Sequence, residues 1–199
     1  MVEAAYIQKV CVVRAKEVVV DAVSRFSSDD ASFVDFYKKA FRELNPDYPK
    51  FFKMDALSKL AVLAAEYLLE GESLDDLALV LANRSGSLDT DVRHQAAIQH
   101  EGEYFPSPAT FVYTLANICA GEISIRHGLQ TENAFFVSEN YPIDTAFSYT
   151  EYLLKSGKAS QVLCGWVELF EEKYEAVLYL VSPKGTKKHT AENIKALFA

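Results

Sequence analysis

"ENAFFVSENYPIDTAFSYTEYLLKSG", Glu132 to Gly157, decides how the chain is read. Its first part, through Val137, is a short continuous apolar run, and it predicts a buried strand. The part from Asp144 predicts a helix, with Gly157 as its stop. Between them lie Ser138, Glu139, Asn140, Tyr141 and Pro142, and Pro142 suits a first helical turn. The turn therefore leads from the end of a strand into the start of a helix. Ser138 to Tyr141 form a candidate binding site there, for an anion or an amide. The plainer reading is a local turn in which Asn140 and Glu139 satisfy nearby backbone groups.

The same reading extends in both directions. Tyr6 to Val13 predicts a strand, and Glu17 to Phe26 reads as strand or short helix. Ser27 to Lys50 predicts a helix that stops near Asn45-Pro46. Met54 to Gly71 is the clearest helix. Leu57, Leu60, Ala61, Ala64, Ala65 and Leu68 share one face, with Asp55 as cap and Gly71 as stop. Leu77 to Asn83 predicts a strand buried on both faces, followed by a loop over Arg84 to Asp91. Ser107 to Gly128 reads as one helix. Ser160 to Leu169 and Tyr174 to Ser182 read as two further strands. Thr190 to Ala199 reads as a terminal helix capped by Thr190, with Glu192 close behind. This order predicts an α/β fold over residues 1–199 as a single domain. Its sheet is expected to be mixed and mostly parallel, with helices on both faces.

Composition narrows the function classes. The chain has 199 residues, is half hydrophobic, and carries a net charge of −8. No basic stripe offsets that charge, which argues against a nucleic-acid partner. Its three cysteines, Cys11, Cys119 and Cys164, are widely spaced. That pattern points to a reducing, cytoplasmic setting without a disulfide framework or structural zinc. No metal or other cofactor is expected. The N-terminal segment lacks the pattern of a signal peptide, and no apolar run approaches the ~18 residues of a membrane span.

Four phrases together resemble the β-ketoacyl-[acyl-carrier-protein] synthase family, which has a thiolase-like fold. "MDALSKLAVLAAEYLL" is similar to that family's early helix, and "LALVLANRSGSLDTD" to its next strand and Gly-Ser loop. "SPATFVYTLANICAGEISIRHGL" is the most specific match. It carries Ser-Pro, a Phe, Thr-Leu-x-Asn and Ala-Gly-Glu in the family's order. "LLKSGKASQVLCGWVE" resembles Gly-x-Ala-x-x-x-Leu-x-Gly-Gly-x-Glu, with Trp166 in place of the second paired glycine. The similarity spans Met54 to Pro183 and implies the N-terminal half of a ketosynthase, a thiolase-like half-domain.

The resemblance also implies an absence. The family carries a nucleophilic cysteine at the start of the helix after its central strand, where a helix N-terminus lowers a thiol pKa. Counting back from Gly157 places that position on Asn140. A slip of one or two residues gives Glu139, Ser138 or Tyr141, none of them a thiol. The family's two catalytic histidines belong to its C-terminal half, which this chain is expected to lack. Of the chain's four histidines, His94 and His100 are expected to bracket an exposed loop. His127 is expected to cap a helix end as a partly charged imidazole. His189 lies in the tail. Cys164 and Cys119 read as buried packing residues. Glu122 and Asp144 form no recognisable carboxylate pair, and the Arg84 to Asp89 loop lacks the lysine of a phosphate loop.

No catalytic residue is therefore assigned. The resemblance implies a non-catalytic accessory subunit in fatty acid, polyketide or aryl-polyene-type biosynthesis. It would work as a homodimer or as a heterodimer with a full-length ketosynthase, and an acyl carrier protein is a further partner. In the family, the strand matching Glu132 to Glu139 pairs with its mate across a two-fold axis. One alternative is a related acyltransferase, or a malonyl-thioester decarboxylase with an altered site. Another is a stand-alone small-molecule-binding protein.

Overall fold

The computed structural model describes residues 4–29, 32–44, 46–99, 106–171 and 173–198. Its strands are β1 (Tyr6–Arg14), β2 (Glu17–Val20), β3 (Val23–Ser27), β4 (Leu77–Asn83), β5 (Asn133–Val137), β6 (Gln161–Phe170), β7 (Lys173–Ser182) and β8 (Lys187–Lys188). Its α-helices are α1 (Phe33–Glu43), α2 (Ala56–Leu69), α3 (Leu88–Ile98), α4 (Pro108–Val112), α5 (Ile118–His127), α6 (Ile143–Lys155) and α7 (Ala191–Lys195). All the strands join one sheet in the order β3-β2-β1-β7-β6-β4-β5, with β8 beside β1. The α/β expectation with a mixed sheet holds. Its parallel part is β5-β4-β6. The pairings of β6 with β7, β7 with β1, and those among β1, β2 and β3 are antiparallel.

Alternation along the strands divides the core. Leu77, Leu79 and Leu81 of β4 face a cluster built on α2, while Ala78 and Val80 face a second cluster with Ala146, Leu153 and Leu154 of α6. Both faces of the sheet are thus covered, which is why β4 reads as an unbroken apolar run. Helix α2 is buried nearly all round. Its start is fixed by Asp55, whose carboxylate accepts from the Ser58 N–H at 3.0 Å and from the Thr90 hydroxyl at 3.0 Å. Thr190 caps α7 in the same way, accepting from the Asn193 N–H at 3.2 Å.

Several expectations are corrected. Glu17 to Phe26 is a β-hairpin. The two-residue turns at Ala15-Lys16 and Asp21-Ala22 all have positive φ, from 48° to 65°, the backbone twist that tight hairpins favour. The Asp21 side chain accepts from the Val10 N–H at 2.8 Å and holds the second turn. Ser107 to Gly128 is two helices: α4 ends in i→i−3 turns, with the Thr114 N–H on the Phe111 carbonyl at 3.1 Å, and α5 starts only at Ile118. The loop after β4 is shorter than expected, since α3 begins at Leu88. Strand β5 lies at the sheet edge and is half exposed, where a buried strand was expected. The expected helix stop at Asn45 lies outside the described residues. Among the described residues, no helix is long and apolar enough to cross a membrane.

Candidate functional site

The site is built where the parallel strands end. The Ser138 N–H donates to the Asn83 carbonyl at 2.9 Å, so the end of β4 positions the turn after β5. The Ser138 hydroxyl donates to the Asn140 carbonyl at 2.6 Å and tightens the turn. Helix α6 follows from Ile143, with Pro142 as the residue before it and no side-chain cap. Glu139 and Asn140 are exposed, and neither side chain has a hydrogen-bond partner among the described residues. The expectation that they satisfy local backbone groups is therefore corrected: Ser138 does that work.

Tyr141 belongs to the packing. Its hydroxyl lies 2.9 Å from the Tyr179 hydroxyl, and burial pushes both phenols well above their ordinary range. Its ring stacks on Phe198 at 4.4 Å and meets Trp166 edge-on at 6.4 Å. Trp166 is itself buried. It both packs against Tyr141 and forms part of the wall of a cleft of about 580 Å³. Glu139, Asn140 and Tyr141 line that cleft too, and Ser138 does not.

The cleft also gathers Arg84, Glu168, Lys173, Glu175, Lys195 and Phe198. These come from four distant segments, so spacing could not have found them. Glu168 alone had a signal, as the acidic residue of the "GWVE" phrase. Its carboxylate accepts from the Arg84 N–H at 2.8 Å and the Ser85 N–H at 3.1 Å, and from the Ser85 hydroxyl. Asn83 braces the same loop, accepting from the Gly86 N–H at 2.9 Å and donating to its carbonyl at 2.8 Å.

The cysteines lie elsewhere. Cys11, Cys119 and Cys164 are buried, and burial pushes each thiol up to about 12. The thiolate fraction at neutral pH then falls about 1,000-fold below that of an ordinary cysteine. We expect iodoacetamide to leave the native chain unmodified and to label all three cysteines once it is denatured. Labelling of the native chain at an ordinary cysteine rate would contradict this.

None of the three described histidines lines the cleft. His94 lies within α3 with its ring 5.7 Å from Phe111, which corrects the expected exposed loop; His100 lies outside the described residues. His127 is 3.4 Å from Glu66, but burial holds its pKa below 6.5, so the expected partly charged cap is a neutral ring. His189 is buried between Phe147 and Tyr179, with Nδ1 3.1 Å from Glu151. Burial outweighs that carboxylate and again holds the pKa below 6.5. Well above pH 6.5 both rings are neutral in the folded and unfolded chain. Below it the unfolded chain takes up protons that the folded chain refuses, so stability falls with pH until the folded pKa is reached. We expect Tm to fall between pH 7 and 5, and His189→Gln to flatten that fall relative to the unsubstituted chain. An unchanged slope would contradict the assignment.

Comparison with known proteins places this geometry. No protein-family model matches the sequence, and no curated protein matches it. Solved structures do. The ishigamide ketosynthase/chain length factor superposes with a TM-score of 0.65 at 19% identity, over 90% of this chain and 62% of that one. The ketosynthase ApeO in complex with its chain length factor ApeC, from Xenorhabdus doucetiae, gives 0.59 at 17%, over 92% and 80%. The AntDE:AntF complex, a type II polyketide acyl-carrier protein with its ketosynthase, gives 0.61 at 12%, over 98% and 65%. The chain thus spans somewhat under two thirds of the first of these. At such identities the likeness is one of fold: the chain has the thiolase-like fold of the β-ketoacyl synthases.

Proposed function

We propose that this chain is a ketosynthase-fold accessory subunit that performs no condensation itself and acts by pairing with a second ketosynthase-fold chain. The observation that carries the reading is the turn between β5 and α6. It holds an exposed Asn140 at the position the family resemblance assigns to the nucleophile, while all three cysteines are buried elsewhere. An amide can donate and accept hydrogen bonds but cannot form an acyl thioester.

The surface supports the second half of the reading. Strand β5 pairs with β4 on one side only among the described residues. An unpaired strand edge invites another chain. Val137 at its end is 57% exposed, and Leu88, Val92, Phe111, Val112 and Leu115 are exposed as well. Two of the similar structures are described as a ketosynthase with a chain length factor, and a third as a ketosynthase with an acyl-carrier protein. By that analogy the partner is a full-length ketosynthase, with a carrier protein as a further contact.

Incubation with an acyl thioester tests the chemical half. Intact-mass measurement should show no acyl adduct on the chain. A stoichiometric adduct would overturn the reading and restore the acyltransferase alternative. The cleft of about 580 Å³ beside Asn140 favours a second reading, a small-molecule-binding protein.

A further inference from the structure

We infer that the cleft beside Asn140 is a binding site for a flat organic anion. Some of the charges in it are already engaged and others are not. Three carboxylates line the cleft. Glu168 is held by the Arg84 and Ser85 amides, and Glu175 pairs with Arg14 at 3.4 Å. Only Glu139 has no partner among the described residues. Three cations line it as well: Arg84, Lys173 and Lys195. All three are exposed and none has an ion-pair partner among the described residues. In a chain with 28 acidic and 20 basic residues, three unengaged cations facing one unengaged carboxylate run against the overall balance. A charge of this kind facing a concave wall is available for a ligand carboxylate, phosphate or sulfonate.

The rest of the wall sets the shape. Trp166, Tyr174 and Phe198 line it, and the partly exposed rings of Tyr174 and Phe198 give it aromatic surface. Aromatic faces and an arginine plane both stack on flat, unsaturated groups. A volume of about 580 Å³ is that of a small-molecule site. This goes beyond the accessory-subunit reading, since ligand binding and association are read by different experiments.

Trp166 is the only tryptophan, so its indole N–H gives a single NMR signal in the unsubstituted chain. We would titrate with trans-cinnamate, with its neutral counterpart cinnamamide, and with inorganic phosphate. Cinnamate should shift the signal saturably, with the other two weaker by roughly tenfold, the scale of one charge-assisted hydrogen bond. The double variant Lys173→Ala, Lys195→Ala should lose cinnamate affinity by a similar factor. Lys184→Ala, beyond the other end of β7, should not. The substituted lysines are exposed, so neither variant removes a core contact. The inference is overturned by any of three results: no saturable shift, equal binding of cinnamamide, or unchanged affinity in the double variant. Equal binding of phosphate would overturn the flat-ligand part.

Discussion

Gly165→Ala is expected to abolish folding of the chain or to leave it severely destabilised. Gly165 sits in β6 between Leu81 of β4 and Leu178 of β7, in the middle of the sheet. Its φ is +150°, which side-chain-bearing residues rarely adopt. A Cβ there would lie 2.1 Å from the Val177 carbonyl oxygen and 2.8 Å from the Leu178 Cα. Both are backbone atoms of a paired strand, so neither can move without breaking the ladder. Backbone strain and overpacking each cost about 1–3 kcal/mol. Together they take a large share of a typical total of about 5–15 kcal/mol. Gly71→Ala is the control. Its φ is +79°, but nothing lies within 4 Å of its Cβ, so the cost should be about 1 kcal/mol. A urea midpoint for Gly165→Ala equal to that of Gly71→Ala would contradict the geometry.

Val137→Lys is expected to weaken self-association or pairing with a ketosynthase by about 100-fold, without loss of fold. Val137 is exposed at the end of β5, and an edge lysine blocks strand addition. Val23→Lys tests specificity. Val23 is 61% exposed on β3, the strand at the opposite end of the sheet. Sedimentation equilibrium should show dissociation for Val137→Lys alone. Equal behaviour of the two variants would place the interface elsewhere.

The sequence made some of this legible and hid the rest for physical reasons. Helix α2 and strand β4 were readable because their neighbours cover them on nearly every side, and continuous burial leaves a continuous apolar run. Strand β5 has a similar run, yet it lies at an edge. Its apolar side chains carry no mark of what covers them. The β2-β3 hairpin was ambiguous because its turn is Asp21-Ala22, without the glycine that usually announces positive φ. The break before α5 is a run of i→i−3 turns at Thr114 and Ile118, which the apolar periodicity on either side does not show. Asn140 could be singled out from the family phrases around it. The cleft could not, since Arg84, Lys173 and Lys195 meet only through the sheet and the returning tail.

The chain is proposed to work through a ketosynthase partner. The most direct test is affinity purification of the tagged chain from its own host, with identification and native mass of the eluted complex. A ketosynthase is expected at a fixed ratio, lost with Val137→Lys. A clean self-dimer or monomer, with neither ketosynthase nor acyl carrier protein, would contradict that proposal.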